Sequence, residues 1–246
     1  MSLPVHVVPS LDGVAAGSAV EVTGDEAHHA VAVRRLRVGE QVVLTDGCGR
    51  SVTGAVASTG KRVFSVTVDR VEEAAAPEPE LVVVQALPKG DRGELAVEML
   101  TEIGAARIVP WAASRSVAVW KGERAVKSLA RWRSTAREAA KQARRSWFPE
   151  VSDPATTADV ERLLATAALG VVLHEEASAS LASLTVPAAG PVVVVVGPEG
   201  GLSPEEVTAF VAAGATSVRL GAEVLRTSTA GVAAAAALLA RTPRWS

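Results

Sequence analysis

The residue types most able to do chemistry lie in two stretches near the C-terminus. In "VVVVVGPEGGLSPEE", residues 192–206, five valines stop at Gly197, and Pro198, Glu199, Gly200 and Gly201 follow. Gly197, Gly200 and Gly201 permit positive φ and let a ligand approach the backbone closely. Ser203, Pro204 and Glu206 fall at the N-cap, N1 and N3 positions of a helix, the pattern of a capping box. The stretch matches neither the dinucleotide fingerprint nor the Walker A pattern. Alone, it reads better as a tight strand-to-helix turn without a ligand. "VRLGAEVLRTSTAG", residues 218–231, adds a second glycine-bearing loop. Val224 and Leu225 can floor a pocket there, and Thr227, Ser228 or Thr229 can cap the helix that follows. Two such loops at adjacent strand ends imply a pocket. Arg226 adds a cation beside the loop, with a plain surface arginine, or one bonding the C-termini of neighbouring helices, as the alternative.

A third feature is charge. Lys121 to Arg145 holds nine basic residues against two acids, Glu123 and Glu138, in a chain of net charge −2. On a helix, Arg124, Lys127 and Arg131 share one face, while Arg137, Lys141, Arg144 and Arg145 share another sector. Trp147 and Phe148 follow at once. Basic side chains for phosphates, with an aromatic ring close by for unstacked bases, suit RNA. Arg34, Arg35 and Arg37, with Lys61 and Arg62, extend the same track. The bland alternative is a solvated helix face. The histidines His6, His28, His29 and His174 have no metal-ligand spacing, and His28 and His29 would point to opposite sides of a strand. The single Cys48 excludes an internal disulfide and a Cys-rich zinc site. No metal is expected.

These groups need elements to hold them. The 246 residues, 48% of them hydrophobic, suffice for one large domain or two smaller ones. Residues 1–73 carry short alternating runs ("AVEVTG", "EQVVLTDGCG", "RSVTGAVAS", "RVFSVTVDRV") and predict a small β-barrel or sandwich. Residues 74–80, within "VEEAAAPEPE", read as an acidic linker. Residues 81–246 alternate strands ("LVVVQAL", "ARIVPW", "GVVLHEE", "PVVVVVG", "SVRLG") with helices. The strands are apolar throughout, so this is an α/β unit whose parallel sheet is covered on both faces. In "RGELAVEMLTEIG" the spacing of Leu95, Met99 and Ile103 predicts a helix, and Gly104 its C-terminal stop. "ERAVKSLARWRSTAREAAKQARR" predicts a long basic helix. The N-terminus lacks the pattern of a secretory signal, and "AGVAAAAALLA" is far short of the roughly 20 residues that span a bilayer. A soluble, cytoplasmic protein without a membrane partner is expected.

With those features in place, the sequence resembles the SPOUT-superfamily methyltransferases that modify N3 of a uridine in 16S ribosomal RNA. "VGPEGGLSPEE" and "LGAEVLRTSTA" resemble that family's two C-terminal motifs. "LPKGDR", "TEIGAARIVPWAASRSV" and "REAAKQARRSWFPEV" match further segments, and "HHAVAVRRLRVGEQVVLTDGCG" matches its PUA-like RNA-binding barrel. The resemblance implies a trefoil-knotted C-terminal domain, an exception to the rarity of knots. It implies S-adenosylmethionine as methyl donor, a homodimer, and 16S rRNA or the small ribosomal subunit, in its decoding region, as partner. By motif, the donor pocket would use Leu173, His174, Gly197, Gly201, Leu220, Gly221, Val224, Leu225 and Arg226. Arg115 and Arg145 would lie on its RNA side, and Arg34, Arg35, Arg131, Arg137 and Arg144 would join them in RNA binding. Arg226 is the expected catalytic residue. Two departures stand out: Ser228 replaces a glutamate of the last motif, and Met99 replaces a lysine. Three other readings remain open: a SPOUT methyltransferase acting on another rRNA or tRNA position, a non-catalytic RNA-binding assembly factor, and a nucleotide-phosphate enzyme that uses "GPEGG" as an anion cradle.

Overall fold

The computed structural model describes residues 3–245. The chain divides into two compact units, Met1–Ala76 with Lys141–Phe148, and Pro77–Ala140 with Pro149–Ser246.

The first unit is a five-stranded sheet. Its elements are β1 (Val5–Val7), β2 (Ala19–Thr23), α1 (Gly24–His28), β3 (Gln41–Thr45), β4 (Arg50–Thr59) and β5 (Val63–Glu73). The strand order is β1-β3-β4-β5-β2, antiparallel except for the parallel β1–β3 pair. Alternation places Val52 and Val56 of β4 and Phe64, Val66 and Val68 of β5 on the inner face with Val22, Val42 and Leu44, all buried. The β4–β5 register shifts beside Gly54, where a Cβ would lie 2.1 Å from the Thr67 carbonyl oxygen. Glycine is thus needed for the close backbone approach at this bulge. His28 and His29 do not sit on a strand. They end α1 and open a π-helical turn, His29–Val33.

The segment Lys141–Phe148 packs inside this unit. The Lys141 ammonium lies 2.9 and 3.1 Å from the two Glu26 carboxylate oxygens, and His6 Nδ1 lies 3.1 Å from Oε1. Burial pushes the Glu26 carboxyl up, but the hydrogen bonds from His6 and Lys141 and their charges outweigh it and hold it at about 2. Trp147 donates its indole N–H to the Ala74 carbonyl at 2.8 Å. A Cβ on Gly49 would stand 2.7 Å from the Trp147 ring, and one on Gly47 would stand 2.9 Å from Phe148. The two aromatics expected to stack on bases are therefore packed onto the β3–β4 turn.

The second unit holds β6 (Glu80–Ala86), α2 (Arg92–Ile103), β7 (Arg107–Trp111), α3 (Gly122–Gln142, its last two residues in the first unit), β8 (Glu150–Val151), α4 (Thr157–Ala165), β9 (Leu169–Leu173), β10 (Ala179–Ser180), β11 (Pro191–Val196), α5 (Pro204–Ala212), β12 (Thr216–Arg219) and α6 (Thr227–Leu239). Its seven strands run parallel in the order β10-β12-β9-β11-β6-β7-β8. One face buries Val83, Val192, Val194 and Val196 with Leu100, Ala234 and Leu238; the other buries Val82, Val84, Val193 and Val195 with Val160 and Phe210. This is the parallel sheet covered on both faces that the apolar strands predict.

Two helices differ from expectation. Gly104 does end α2 in the left-handed region, at φ 107°. The buried face of α2, however, is Gly93, Ala96, Val97, Leu100 and Thr101, while Leu95 is 46% exposed. Of the expected stripe, Ile103 packs against the core and Met99 is half-buried, while Leu95 is turned out; the buried face is shifted toward Gly93, which packs on Trp132, whose ring lies 2.7 Å from where a Cβ would be. Helix α3 stops at Gln142, and Arg144 turns to φ 53°. Arg144 and Arg145 therefore share no helical face with Arg137 and Lys141.

Candidate active site

A cleft of about 900 Å³ opens at the carboxyl ends of β9, β11 and β12. That size suits a small-molecule site, and loops at the carboxyl ends of parallel strands are where such sites form. The two glycine loops are not on adjacent strands. β9 lies between β11 and β12 and supplies Leu173 and, just beyond its end, His174. Leu173, His174, Gly197, Gly201, Leu220, Val224, Leu225 and Arg226 all line the cleft, as does Arg115. Gly221 lies in the same loop, outside the lining.

The wall at Gly197–Leu202 is firmly tied. Ser203 Oγ accepts the Glu206 N–H at 3.2 Å, and Glu206 Oε2 accepts the Ser203 N–H at 2.9 Å, which completes the capping box. Glu206 is buried, and its other oxygen accepts the Ser114 N–H at 2.7 Å. One carboxylate thus fixes both the start of α5 and the segment that carries Arg115. Arg115 in turn donates to the carbonyls of Gly200 (3.4 Å) and Leu202 (3.2 Å). Gly201 sits at φ 72°, and its N–H bonds back to Pro198 at 2.9 Å. Glu205 is held below the usual carboxylate range by its own backbone N–H first, then by Ser203 and the Arg115 charge.

The wall at Leu220–Arg226 is different. Val224 is 75% exposed and Leu225 41% exposed. Among the described residues, no hydrogen bond engages Leu220 to Leu225. Arg226 is exposed, makes no side-chain bond among the described residues, and is itself the N-cap of α6. No side chain caps this helix. The Thr227 hydroxyl is used elsewhere, donating to the Gly197 carbonyl at 2.7 Å and accepting from Gln85 Nε2 at 3.0 Å. Ser228 is buried in the first turn, and the Thr229 hydroxyl bonds the Arg226 carbonyl at 3.1 Å.

Several lining residues escaped the sequence reading. Glu199 accepts the Lys89 N–H at 3.1 Å and pairs with Arg92 at 3.6 Å, which ties the Pro88–Arg92 loop to the cleft. The signal for it was a charged residue inside a glycine turn. Glu175 and Glu176 also face the cleft. Among the described residues, no three His, Cys, Asp or Glu side chains group as metal ligands, and no helix is long and apolar enough to cross a membrane.

The candidate RNA-contacting arginines fall into two sets. Arg34, Arg35 and Arg144 belong to the first unit, are exposed, and make no ion pair or side-chain hydrogen bond among the described residues. Arg35 and Arg144 are also its two non-glycine residues with positive φ, 58° and 53°. Arg145 is half-buried and partnered. In the second unit, Arg131 pairs with Glu94 at 3.2 Å, Arg137 is partnered, and the neighbouring Arg133 bonds Val151 and Asp153. Much of the charge of α3 is thus matched by protein acceptors.

Comparison with known proteins bears on both units. Residues 76–239 match the RNA methyltransferase domain family, and residues 22–69 match the RNA methyltransferase PUA domain family. The chain is 45% identical over 233 residues to a Mycobacterium bovis protein named ribosomal RNA small subunit methyltransferase E, covering 93% of this chain and 89% of that one. A Bacillus subtilis protein of the same name is 30% identical, with 88% of each chain covered. Among solved structures, a Legionella pneumophila methyltransferase with bound cofactor SAM superposes with TM-score 0.88 at 26% identity, over 98% of this chain and 99% of that one. A Neisseria gonorrhoeae ribosomal RNA small subunit methyltransferase E bound to S-adenosyl methionine gives 0.85 at 26% identity, over 96% of each.

Proposed function

The chain belongs to the RNA methyltransferase family, and on that premise we propose that it methylates N3 of a uridine in small-subunit ribosomal RNA, with S-adenosylmethionine as methyl donor. The observation that carries this reading is the cleft with one anchored wall and one exposed apolar wall, and with an unpaired Arg226 at its edge. The residues fit the donor. Leu173, Leu220, Val224 and Leu225 offer apolar surface to a purine, Gly201 leaves the backbone open, and Glu175 and Glu176 can accept hydrogen bonds from ammonium or hydroxyl groups. Two of the cleft's cations, Arg92 and Arg115, are already held by Glu199 and by loop carbonyls, which disfavours a polyphosphate. When bound, S-adenosylmethionine supplies an electrophilic methyl on a sulfonium.

The chain's own residues do the rest. The N3 proton leaves to solvent water, the negative charge spreads over the uracil oxygens, and Arg226 at the cleft edge stabilises it. The anchored loop holds donor and base in line. Arg34, Arg35 and Arg144 contact RNA phosphates, with Arg115 and Arg145 nearer the reacting base and Arg131 and Arg137 as outer contacts. In this reading the second unit carries the trefoil knot, residues 1–73 act as the RNA-binding module ahead of the linker at 74–80, and the protein works in the cytoplasm as a homodimer. Leu95 and Val117, exposed in one recess, suit the dimer contact, so Leu95→Glu yields monomer in sedimentation.

N3-methylation blocks the pairing edge of uracil. Reverse transcription across 16S rRNA therefore stops at the modified base in wild-type cells and reads through in a deletion strain. Stops that all persist in the deletant would refute the assignment. For the RNA surface, Arg35→Glu and Arg144→Glu each weaken rRNA binding and reduce its salt slope by about one.

A further inference from the structure

Gln85 is a polar residue in a strand where every neighbour is apolar. Leu81 to Ala86 are fully buried, and Gln85 is as buried as the valines before it. Its Nε2 donates to Thr227 Oγ1 at 3.0 Å and to the Ala86 carbonyl at 3.2 Å, and Thr227 passes a proton donor on to the Gly197 carbonyl at 2.7 Å. Three chain segments meet in this relay: the end of β6, the end of β11 and the first turn of α6. Its alignment follows from the two periodicities. Val83 and Gln85 share a strand face, and Gly231 and Thr227 share a helix face. A Cβ on Gly231 would lie 3.1 Å from Val196 and 3.6 Å from Val83, so this glycine seats α6 close enough for Thr227 to reach Gln85.

Stability alone does not explain the residue. Gln85 Oε1 is buried and has no partner among the described residues, a penalty that leucine would avoid. What glutamine adds is a directed donor. We infer that Gln85 is a positioning residue for the donor site: through Thr227 it fixes the Gly197 carbonyl and the start of α6, and so sets where Arg226 and the anchored loop stand. This inference rests on the reading of the cleft as the S-adenosylmethionine site.

The test compares Gln85→Leu, Thr227→Val and Thr227→Ser in the full-length protein by thermal melting, S-adenosylmethionine titration calorimetry and steady-state kinetics. Gln85→Leu melts at or above the wild-type temperature yet binds S-adenosylmethionine about tenfold more weakly, the scale of one lost buried hydrogen bond. Its KM for the donor rises in step while its KM for rRNA stays unchanged. Thr227→Val weakens donor binding to a similar degree, Thr227→Ser restores it, and the double variant Gln85→Leu/Thr227→Val is no worse than the weaker single, as members of one network behave. Donor affinity within twofold of wild type in Gln85→Leu would overturn the inference, as would a Gln85→Leu protein that melts lower but binds normally when folded. If Gln85→Leu does not fold, equal affinities of Thr227→Val and wild type overturn it instead. Failure of the wild-type protein to bind S-adenosylmethionine would refute the donor assignment, a separate result.

Discussion

The two walls of the cleft are both glycine-bearing loops between a parallel strand and a helix, yet they are built on opposite principles. Gly197–Leu202 is held by Arg115 and through Glu199, Glu206 ties down Ser203 directly after it, and Thr227 fixes the carbonyl at its start. Leu220–Leu225 makes no hydrogen bond among the described residues and leaves Val224 and Leu225 exposed. The first wall is preorganised and costs little to use in binding; the second presents apolar surface that only an occupant would bury. The difference teaches where the binding energy and the catalytic geometry divide. A rigid wall supplies position, and an exposed apolar wall supplies affinity at about 25 cal/mol per Å² of surface it covers.

The sharpest way to break that division is Arg226→Ala, at the junction of the exposed wall and α6. Its side chain is exposed and makes no hydrogen bond or ion pair among the described residues, so the variant melts like wild type. Methyl transfer falls about 100- to 1,000-fold in kcat, the scale of a lost charge-stabilising donor, while donor affinity changes little. A variant that transfers at the wild-type rate would remove Arg226 from the chemistry. Next comes Glu206→Gln in the anchored wall. One carboxylate accepts from both Ser203 and Ser114, and an amide would turn a donor toward one of those N–H groups. A loss of about 2 kcal/mol in denaturant unfolding is expected from the buried mismatch. Stability equal to wild type would show that this wall is not anchored through Glu206.

The anchored wall was legible in sequence because its signals are local. Ser203-Pro204-Glu205-Glu206 specifies a capping box over four residues, and Gly104 likewise marks the end of α2 by its neighbours alone. Thr156 and Asp159 form a second capping box ahead of α4, equally local in "TTAD". What was not legible depends on partners far along the chain. Leu95, Met99 and Ile103 have helical spacing, but the shift of the buried face toward Gly93 depends on Trp132 packing there. The charge of α3 reads as a polyanion surface until Glu94, Asp153 and Glu26 are brought beside it. Gln85 was the one hint of the relay, since a lone amide in "LVVVQAL" demands a partner; that the partner is Thr227, 142 residues away, no pattern reveals.

The glycines give finer contrasts between the walls. Gly201→Ala places a side chain at φ 72° with open space around it, so the cost is backbone strain alone, about 1 kcal/mol in unfolding. Gly221→Ala is the smallest perturbation. Gly221 has no positive φ, and its added Cβ would meet only the Glu223 carboxylate at 3.6 Å, so unfolding stability stays within about 0.5 kcal/mol of wild type. Yet this glycine lies between Leu220 and Val224, which both line the cleft. If the exposed wall closes on the donor, the methyl group stiffens the turn that must bring Leu220 and Val224 onto it, and calorimetry reads a donor affinity about threefold weaker at unchanged melting temperature. Unchanged affinity would mean that the wall engages its ligand only from Val224 onward. Affinity and stability that fall together would mean that the loop is tied down after all, and the contrast between the two walls would be lost.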